Sequence, residues 1–418
     1  MKGQEYQQIL TNYADLAIQI GLNLQPGQKL FIWVNQLELA PLAREIAARA
    51  YQGGSPLVSV LWNDDGLLKS RFEHAPRDSF GEYPSWKLDA RLGSIQNGDA
   101  MIWMGGDPPD LLKGVDPKLV AEAAQTYARL SSPIREKIAV NAVQWLVICP
   151  PTQGWAKAVF PGLETSEAET QLWEAVARTC RLDAPQPAQS WQENLDELAV
   201  RGAYLTNRQY TRLHFKAPGT DLEVGMPQGH IWIGGWDRTP DGIQFCANIP
   251  TEEIYSLPHR ERVNGTVRAT RPLSYQGSLI EDFQLRFENG KVVEVSAQRG
   301  QAALEGILGT GPNAPYLGEV ALVPHSSPIS QQGLVFLNTL YDENASCHLA
   351  LGNAYRVNLE GGVEMSKEEF IKAGGNESLV HVDFMFGSGE MDVDGLLADG
   401  SSEPVMRKGE WAFESPSQ

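Results

Sequence analysis

The chain has 418 residues, of which 42% are hydrophobic, and carries a formal net charge of -18 at pH 7. That length and apolar content predict a globular protein with enough core for two domains. The negative charge argues against nucleic acid or an anionic membrane as a main partner, because binding to either would need a basic face.

The spacing of the cysteines and the length of the apolar segments bear on the cellular compartment of the protein. The four cysteines lie far apart in the sequence, and no C-x-x-C pair occurs. Neither a disulfide framework nor a zinc ribbon is therefore indicated. The sequence contains no run of 18 apolar residues, and its first residues lack the apolar core of a signal peptide. We therefore expect a cytoplasmic protein.

The first half of the chain alternates strand and helix patterns. After an amphipathic helix, the apolar run at 29–34 predicts a strand, and a helical stripe leads from it to a second buried strand at 57–62. The same order recurs within 100–149, where Asp116 is predicted to cap a helix that begins with a proline. Repeated strand, helix and strand units predict a parallel α/β domain, to which we assign residues 1–205.

A dinucleotide site is the usual question for such a domain, because phosphate binding needs a glycine-rich turn between strand and helix. The turn after the first strand reads V-N-Q-L-E-L and has no glycine. The later segment G-G-D-P-P lacks the spacing G-x-G-x-x-G. The sequence therefore predicts no nucleotide cofactor.

From about residue 206 the pattern changes to short strands separated by glycine, proline and aspartate. A hairpin is predicted from 283–288 and 291–295, which are joined by Asn289-Gly290. One helix is predicted at 301–308. Residues 206–418 are therefore predicted to form a mainly antiparallel β domain with a few helices.

Residues able to bind metal ions occur in three strand-like segments of this domain. In L-V-H-V-D-F-M-F, alternation places His381 and Asp383 on one face and apolar residues on the other. Glu319 lies in the apolar run G-E-V-A-L-V, and His348 precedes Ala350, which leaves room beside the imidazole. A buried carboxylate without a partner is unfavourable, so a cation or a pair of cations is indicated.

Two acidic pairs add to this set, and each candidate also has a simpler explanation. Glu252-Glu253 could be a solvated pair at the start of a helix, and Asp342-Glu343-Asn344 could be a polar loop. Glu319 could lie on an edge strand, His348 could be a core histidine with its hydrogen bonds satisfied, and His381 could bond to Asp383 without a metal. Taken together, four carboxylates and two histidines are the composition of a two-metal hydrolytic site.

Longer motifs resemble those of the thermophilic metallo-aminopeptidases, the family of aminopeptidases T, S and II. These motifs are N-I-P-T-E-E-I-Y, R-V-N-G-T-V, Y-L-G-E-V-A-L-V-P, L-Y-D-E-N-A-S-C-H-L-A-L-G-N-A-Y, E-G-G and H-V-D-F-M-F-G-S. The resemblance runs in order through most of the chain. It implies a dinuclear metallo-aminopeptidase of broad specificity that acts on peptides, is usually a homodimer, and has an α/β domain followed by a β-rich domain.

The resemblance also implies the site residues and the cofactors. The implied metal ligands are Glu253, Glu319 as the bridging residue, Glu343, His348, His381 and Asp383. The implied cofactors are two divalent cations, drawn from zinc, cobalt, manganese and magnesium. The alternative function on the same fold is a non-catalytic peptide-binding or metal-binding protein.

Three further residues receive roles beside these ligands. Tyr355 is implied by the resemblance as a catalytic phenol, although its position after Gly352-Asn353 also suits an ordinary half-buried tyrosine. Glu252 is a candidate general base, because it precedes a ligand. Cys347 is predicted to be a core residue, because it points away from the face that carries the adjacent histidine.

Overall fold

The computed structural model of the protein describes residues 3–275 and 278–414. Within these residues the chain forms two compact units. The first runs to Asn194 and includes Trp236–Thr251, and the second comprises Leu195–Gly235 and the chain from Glu252 onward. Among the helices of the described residues, none combines the length and the apolar composition needed to span a membrane.

The helices, in chain order, are α1 (Gln4–Leu16), α2 (Ala40–Gln52), α3 (Asp65–His74), α4 (Ser85–Gln96), α5 (Pro117–Leu130), α6 (Ser132–Ile138), α7 (Gln153–Val159), α8 (Thr165–Thr179), α9 (Pro187–Arg208), α10 (Gln301–Leu308), α11 (Thr339–Glu343) and α12 (Lys367–Lys372). The strands are β1 (Leu30–Val34), β2 (Val58–Trp62), β3 (Ala100–Met104), β4 (Trp145–Ile148), β5 (Arg212–Ala217), β6 (Thr220–Gly225), β7 (Ile233–Gly234), β8 (Asp237–Arg238), β9 (Gln244–Phe245), β10 (Asn248–Ile249), β11 (Ile254–Ser256), β12 (Val263–Arg268), β13 (Leu273–Tyr275), β14 (Ser278–Glu288), β15 (Lys291–Arg299), β16 (Leu317–Leu322), β17 (His348–Gly352), β18 (His381–Met385), β19 (Asp392–Leu396), β20 (Ser402–Arg407) and β21 (Glu410–Trp411).

The first unit is built on a parallel sheet of order β10-β4-β3-β1-β2. Every residue of β1 is buried, because β1 lies between β2 and β3. The Asp116 side chain accepts a hydrogen bond from the Lys118 backbone N–H at the start of α5, as expected of a helix cap. The predicted parallel α/β architecture is thus confirmed.

One detail of this prediction is wrong. The strand at 57–62 was expected to be buried, but β2 is the last strand of the sheet, and of its five residues only Leu61 is buried. Trp62 is 37% exposed. An apolar run of this length does not by itself distinguish a central strand from an edge strand, because the number of neighbours is a property of the sheet.

The second unit contains two antiparallel sheets. One has the order β18-β17-β16-β11-β7, and the larger has the order β13-β14-β12-β6-β5-β19-β20-β21, with β15 paired to β14. The β14–β15 hairpin turns at Asn289 and Gly290, both with positive φ, as a tight two-residue turn requires. The mainly antiparallel architecture predicted for this part of the chain is confirmed.

The five-stranded sheet buries one face in a large hydrophobic core. Leu349, Leu351 and Phe384 belong to this core, and the Phe384 ring lies 5.6 Å from the ring of Phe283. Because side chains alternate along a strand, the residues between them project from the opposite face. That second face carries His348 and Ala350. The core packed against the first face holds the strands in place.

We expect Gly352→Ala to destabilise this sheet. Gly352 has a φ of +103°, and a Cβ atom there would lie 2.0 Å from the Val380 carbonyl oxygen. The variant should therefore unfold at lower temperature, with a loss of about 1–3 kcal/mol from backbone strain. The matched control is Gly306→Ala in α10, where a Cβ atom meets nothing within 4 Å. Thermal unfolding of both proteins checks this expectation, and an unchanged melting temperature for Gly352→Ala would contradict it.

Candidate metal centre

The register of three adjacent strands brings the predicted ligands together. Ala350 in β17 pairs with Glu319 of β16 on one side and with Asp383 of β18 on the other. Paired residues of an antiparallel sheet project from the same face. Because Ala350 contributes only a methyl group, the carboxylates of Glu319 and Asp383 share the open space above it.

A β-bulge at Gly318 directs Glu319 to this face. The register shifts between Leu317, which pairs with Leu351, and Glu319, which pairs with Ala350. Two residues that are two positions apart would normally share a face, but the extra residue reverses the alternation. Leu317 is therefore buried in the core while Glu319 projects from the other face. A side chain at Gly318 is excluded, since its Cβ would lie 2.1 Å from the Asn353 carbonyl oxygen.

Glu319 lies between two histidines, one facing each of its oxygens. His348 Nε2 is 3.3 Å from Glu319 Oε1, and His381 Nε2 is 3.6 Å from Glu319 Oε2. His348 Nε2 is also 2.9 Å from Glu253 Oε2, and His381 Nε2 is 3.4 Å from Asp383 Oδ1. Two groups with metal-binding geometry result, Glu253–Glu319–His348 and Glu319–His381–Asp383, and they share Glu319.

Both imidazoles are oriented by backbone carbonyls. His348 Nδ1 lies 3.2 Å from the Ser346 carbonyl oxygen, and His381 Nδ1 lies 2.7 Å from the Asn353 carbonyl oxygen. A carbonyl only accepts hydrogen bonds, so each Nδ1 carries a proton and donates. Each Nε2 is then directed at the carboxylates, as in histidines that ligate metals through that atom.

The electrostatics of the site indicate a deficit of positive charge. Burial, together with the charge of Asp383, raises the pKa of Glu319 and raises that of Glu343 well above its usual value. Burial alone would lower the pKa values of the histidines, but the facing carboxylates outweigh it. They raise the pKa of His348 well above its usual value and the pKa of His381 to about 9. Protons therefore bind tightly where a cation would otherwise balance the carboxylates.

The chemistry of these residues fits divalent cations. Glu253 Oε2 and Asp383 Oδ1 are buried, and a histidine Nε2 atom faces each of them, at 2.9 Å and 3.4 Å respectively. Without a metal, a proton on each Nε2 offsets the carboxylate charge. A divalent cation between the two atoms would take the place of that proton. Mixed carboxylate and imidazole donors suit zinc, cobalt or manganese.

Glu343 and Glu253 approach the cluster from outside the paired strands, and Glu252 precedes Glu253 directly. Glu343 is the last residue of α11 and interacts electrostatically with Asp383, Glu253 and Glu319, but it lies outside the two tightest groups. Glu252 and Glu253 are 5% and 7% exposed and precede strand β11. The alternative of a solvated pair that opens a helix is therefore wrong.

Tyr355 lies beside the cluster on a loop. It follows β17, is half-buried, and its ring centroid is 5.0 Å from that of His381. Burial, and then the charges of Glu319 and Asp383, raise the Tyr355 pKa well above its usual value. The phenol therefore stays protonated at neutral pH and is available as a hydrogen-bond donor.

The two sides of the cluster differ in exposure. The His348 side chain is 1% exposed and that of Glu319 is 7%, whereas those of His381 and Asp383 are 21% and 14% exposed. Tyr355 lies on the more exposed side, next to His381. Solvent therefore reaches His381 and Asp383 more readily than it reaches His348.

Sequence reasoning missed two neighbours of the cluster. The Tyr255 ring lies 6.1 Å from the Tyr355 ring, and Tyr255 pairs with Ala321, which in turn pairs with His348. Tyr255 follows Glu253 by two positions, and this spacing could have revealed that the two share a face. Asn344 is completely buried and accepts a hydrogen bond from the Glu252 backbone N–H. No local pattern indicates that contact, because 92 residues separate the two.

Cys347 is a core residue, as predicted. It is 3% exposed, and its Sγ atom lies 3.5 Å from the Val323 carbonyl oxygen and 3.7 Å from the Met406 sulfur. Burial raises the pKa of the thiol to about 11. A thiol with so little thiolate at neutral pH does not serve as a nucleophile.

Known proteins resemble the chain over nearly its full length. The family model described as thermophilic metalloprotease (M29) matches residues 6–411. Aminopeptidase 2 of Geobacillus stearothermophilus is 47% identical, over 97% of this chain and 98% of its own. Aminopeptidase AmpS of Bacillus subtilis is 43% identical, over 98% of this chain and 99% of its own. The solved structure of wild-type AmpT from Thermus thermophilus superposes with a TM-score of 0.91 at 43% identity, and covers 98% of this chain and 100% of its own.

The fold, the cluster of carboxylates and imidazoles, and these similarities define the class as a metalloprotease. The chain belongs to the thermophilic metalloprotease family M29. This result confirms the family that the sequence motifs indicated, and the similarity to AmpT confirms the predicted fold class. The family implies divalent metal ions as cofactors.

We expect the metal-free protein to lose stability as the pH rises from about 6.5 to about 9. The pKa of His381 is raised from 6.5 to about 9 in the folded protein. The stabilisation from its bound proton is therefore complete below the unfolded pKa and is lost as the pH rises through the folded pKa. Thermal unfolding of chelator-treated protein across this range measures the effect. His381→Gln, which cannot take up the proton, should show a shallower dependence, and an equal slope in both proteins would contradict this assignment.

Proposed function

We propose that the protein is a metal-dependent aminopeptidase that hydrolyses the N-terminal peptide bond of peptides with broad specificity, through water activated by two divalent cations. The central observation is the buried Glu319 carboxylate, whose two oxygens each face a different histidine. Such a carboxylate is suited to bridging two cations. Membership of family M29 and the names of the relatives, which are aminopeptidases, support the reaction class.

The chain's own residues would hold the two cations in unequal surroundings. Glu253, Glu319 and His348 would bind one, and Glu319, His381 and Asp383 would bind the other, with Glu343 as a further carboxylate ligand. When bound, such cations lower the pKa of water and polarise the scissile carbonyl. The second group includes the more exposed side chains, so we assign the substrate to that side.

Tyr355 and Glu252 would complete the catalytic machinery. We propose that the protonated Tyr355 hydroxyl donates a hydrogen bond to the oxyanion that develops on the scissile carbonyl oxygen. Glu252 is the candidate general base, because it is a buried carboxylate adjacent to the ligand Glu253. It would take a proton from the attacking water and return it to the leaving amine.

The remaining properties are proposed on chemical grounds. Zinc, cobalt and manganese match the imidazole and carboxylate donors, and magnesium matches the carboxylates alone. We propose a homodimer from the family resemblance. We propose a cytoplasmic location, because all four cysteines are buried and none belongs to a disulfide.

The reaction is tested by removing and restoring metal in the wild type and in Glu319→Gln. Chelator-treated wild type should not cleave an aminoacyl chromogenic amide, and added cobalt, zinc or manganese should restore cleavage. Glu319→Gln preserves the shape of the side chain but removes its charge, so metal should restore at most about a hundredth of that activity. Cys347→Ser is the control, because it changes a buried neighbour of His348 that faces the core. A wild type that binds metal without cleaving would support the alternative of a non-catalytic metal-binding protein.

The role of Tyr355 is tested by Tyr355→Phe, which removes only the hydroxyl group. Loss of one donor to an oxyanion typically lowers kcat by about 10²–10³-fold. We expect this fall in kcat with metal content and KM preserved. Tyr204→Phe, at a ring stacked on Phe413, controls for the loss of a phenol elsewhere in the same unit. A kcat within a few-fold of the wild type would reduce Tyr355 to a packing role.

A further inference from the structure

The six proposed ligands are held by two different kinds of structure. Glu319, His348, His381 and Asp383 lie on paired strands, where backbone hydrogen bonds fix their separations. Glu253 and Glu343 do not. Glu253 lies just before β11, and Glu343 ends the five-residue helix α11. The ladder between β16, β17 and β18 therefore leaves the positions of these two carboxylates to be fixed by other contacts.

Asn344 links the two segments that carry them. Its Oδ1 atom accepts a hydrogen bond of 2.7 Å from the Glu252 backbone N–H, and its Nδ2 atom donates one of 2.9 Å to the Leu340 carbonyl oxygen. The Asn344 carbonyl oxygen accepts a hydrogen bond of 3.0 Å from the Ser327 hydroxyl. Asn344 is 0% exposed, so water does not compete for these contacts.

The hydrogen bonds of Asn344 matter because they join two segments that each carry a proposed ligand. Asn344 follows Glu343 directly, and Glu252 precedes Glu253 directly. One amide side chain thus connects the backbones from which the two carboxylates project. The Asn344 Nδ2 atom also lies 3.5 Å from Glu343 Oε1, at the limit of a hydrogen bond. A shift of either segment would break or strain the 2.7 Å contact.

We propose that Asn344 is a positioning residue of the metal centre, which sets the distance between Glu253 and Glu343 and so raises the affinity for divalent cations. This inference rests on the proposed function, because it assumes that both carboxylates are ligands. Two carboxylates that repel each other would separate when no cation is present, and the Asn344 amide opposes that separation. The site is thereby held close to its metal-binding geometry before a cation arrives.

Asn344→Ala tests this proposal through cation binding. The variant leaves the Glu252 N–H buried without its acceptor and frees the two segments from each other. We expect Co²⁺, titrated into chelator-treated full-length protein and followed by calorimetry and visible absorption, to bind about 10–100-fold more weakly than to the wild type. The Co²⁺ affinity decides the proposal, because kcat would also respond to a shift of Glu252, the candidate general base, whose backbone N–H Asn344 holds.

Asn141→Ala is the matched control. Asn141 is a buried asparagine of the first unit whose amide also uses both ends: Nδ2 donates to Asp237 Oδ1 at 3.1 Å, and Oδ1 accepts from Trp145 Nε1 at 2.9 Å. This variant should lower the melting temperature without changing Co²⁺ affinity. It therefore separates the effect of a lost buried amide on stability from the effect of ligand positioning.

Each outcome decides the proposal. Weaker Co²⁺ binding by Asn344→Ala, with normal binding by Asn141→Ala, supports it. Equal affinity in Asn344→Ala and the wild type overturns it, and so does an equal loss in both variants. Should Asn344→Ala not fold, Asn344→Ser, whose hydroxyl is too short to reach the Glu252 N–H, is measured in the same way. Failure of both to fold would show a structural role and overturn the proposal. A wild type that binds no Co²⁺ would instead refute the proposed function.

Discussion

Repulsion among buried carboxylates is the constraint on which the second unit depends. Glu253, Glu319, Glu343 and Asp383 project into one region, where burial makes their negative charges unfavourable. Imidazoles alone offset this repulsion only when they are protonated, which explains why the pKa of His381 is raised to about 9. Cations would offset it without those protons. Folding, protonation and metal binding are therefore coupled in this protein.

The packed core of the second unit holds these side chains together against their mutual repulsion. The face of the five-stranded sheet opposite the carboxylates and imidazoles is buried in a hydrophobic core that includes Leu349 and Phe384, so β17 and β18 cannot separate without exposing apolar surface. The bulge at Gly318 shows how closely core and site are connected, because one residue places Leu317 in the core and Glu319 in the site. Changes to the core are therefore expected to affect metal binding.

The unequal exposure of the site relates this geometry to peptide hydrolysis. The His348 side is closed, while the side with His381, Asp383 and Tyr355 is partly open. A hydrolytic metal site needs protein ligands that hold the ions and an open position for water and substrate. The sheet face proposed as the metal site is suited to both needs, because its buried end carries carboxylates and an imidazole and its open end lies beside the Tyr355 phenol on a loop.

The sequence alone determined the type of each domain and indicated most of the carboxylates and imidazoles that form the cluster. Alternation in L-V-H-V-D-F-M-F placed His381 and Asp383 on one face, and the β17–β18 register agrees with this placement. Such inferences succeed because the two-residue period of a strand is local. The long motifs around Glu319 and His348 also identified the family, which the full-length similarities confirm.

Only the tertiary structure decided what depends on partners distant in sequence. It showed that β2 is an edge strand, that Glu252 and Glu253 are buried, and that Asn344 bonds to a residue 92 positions away. It also placed Tyr355 beside His381. Burial and hydrogen bonding across such separations are set by how strands pair and loops pack, and a local pattern carries no record of its distant neighbour. For that reason the sequence indicated which carboxylates and imidazoles form the cluster, whereas their charges, their exposure and their supporting contacts required the structure.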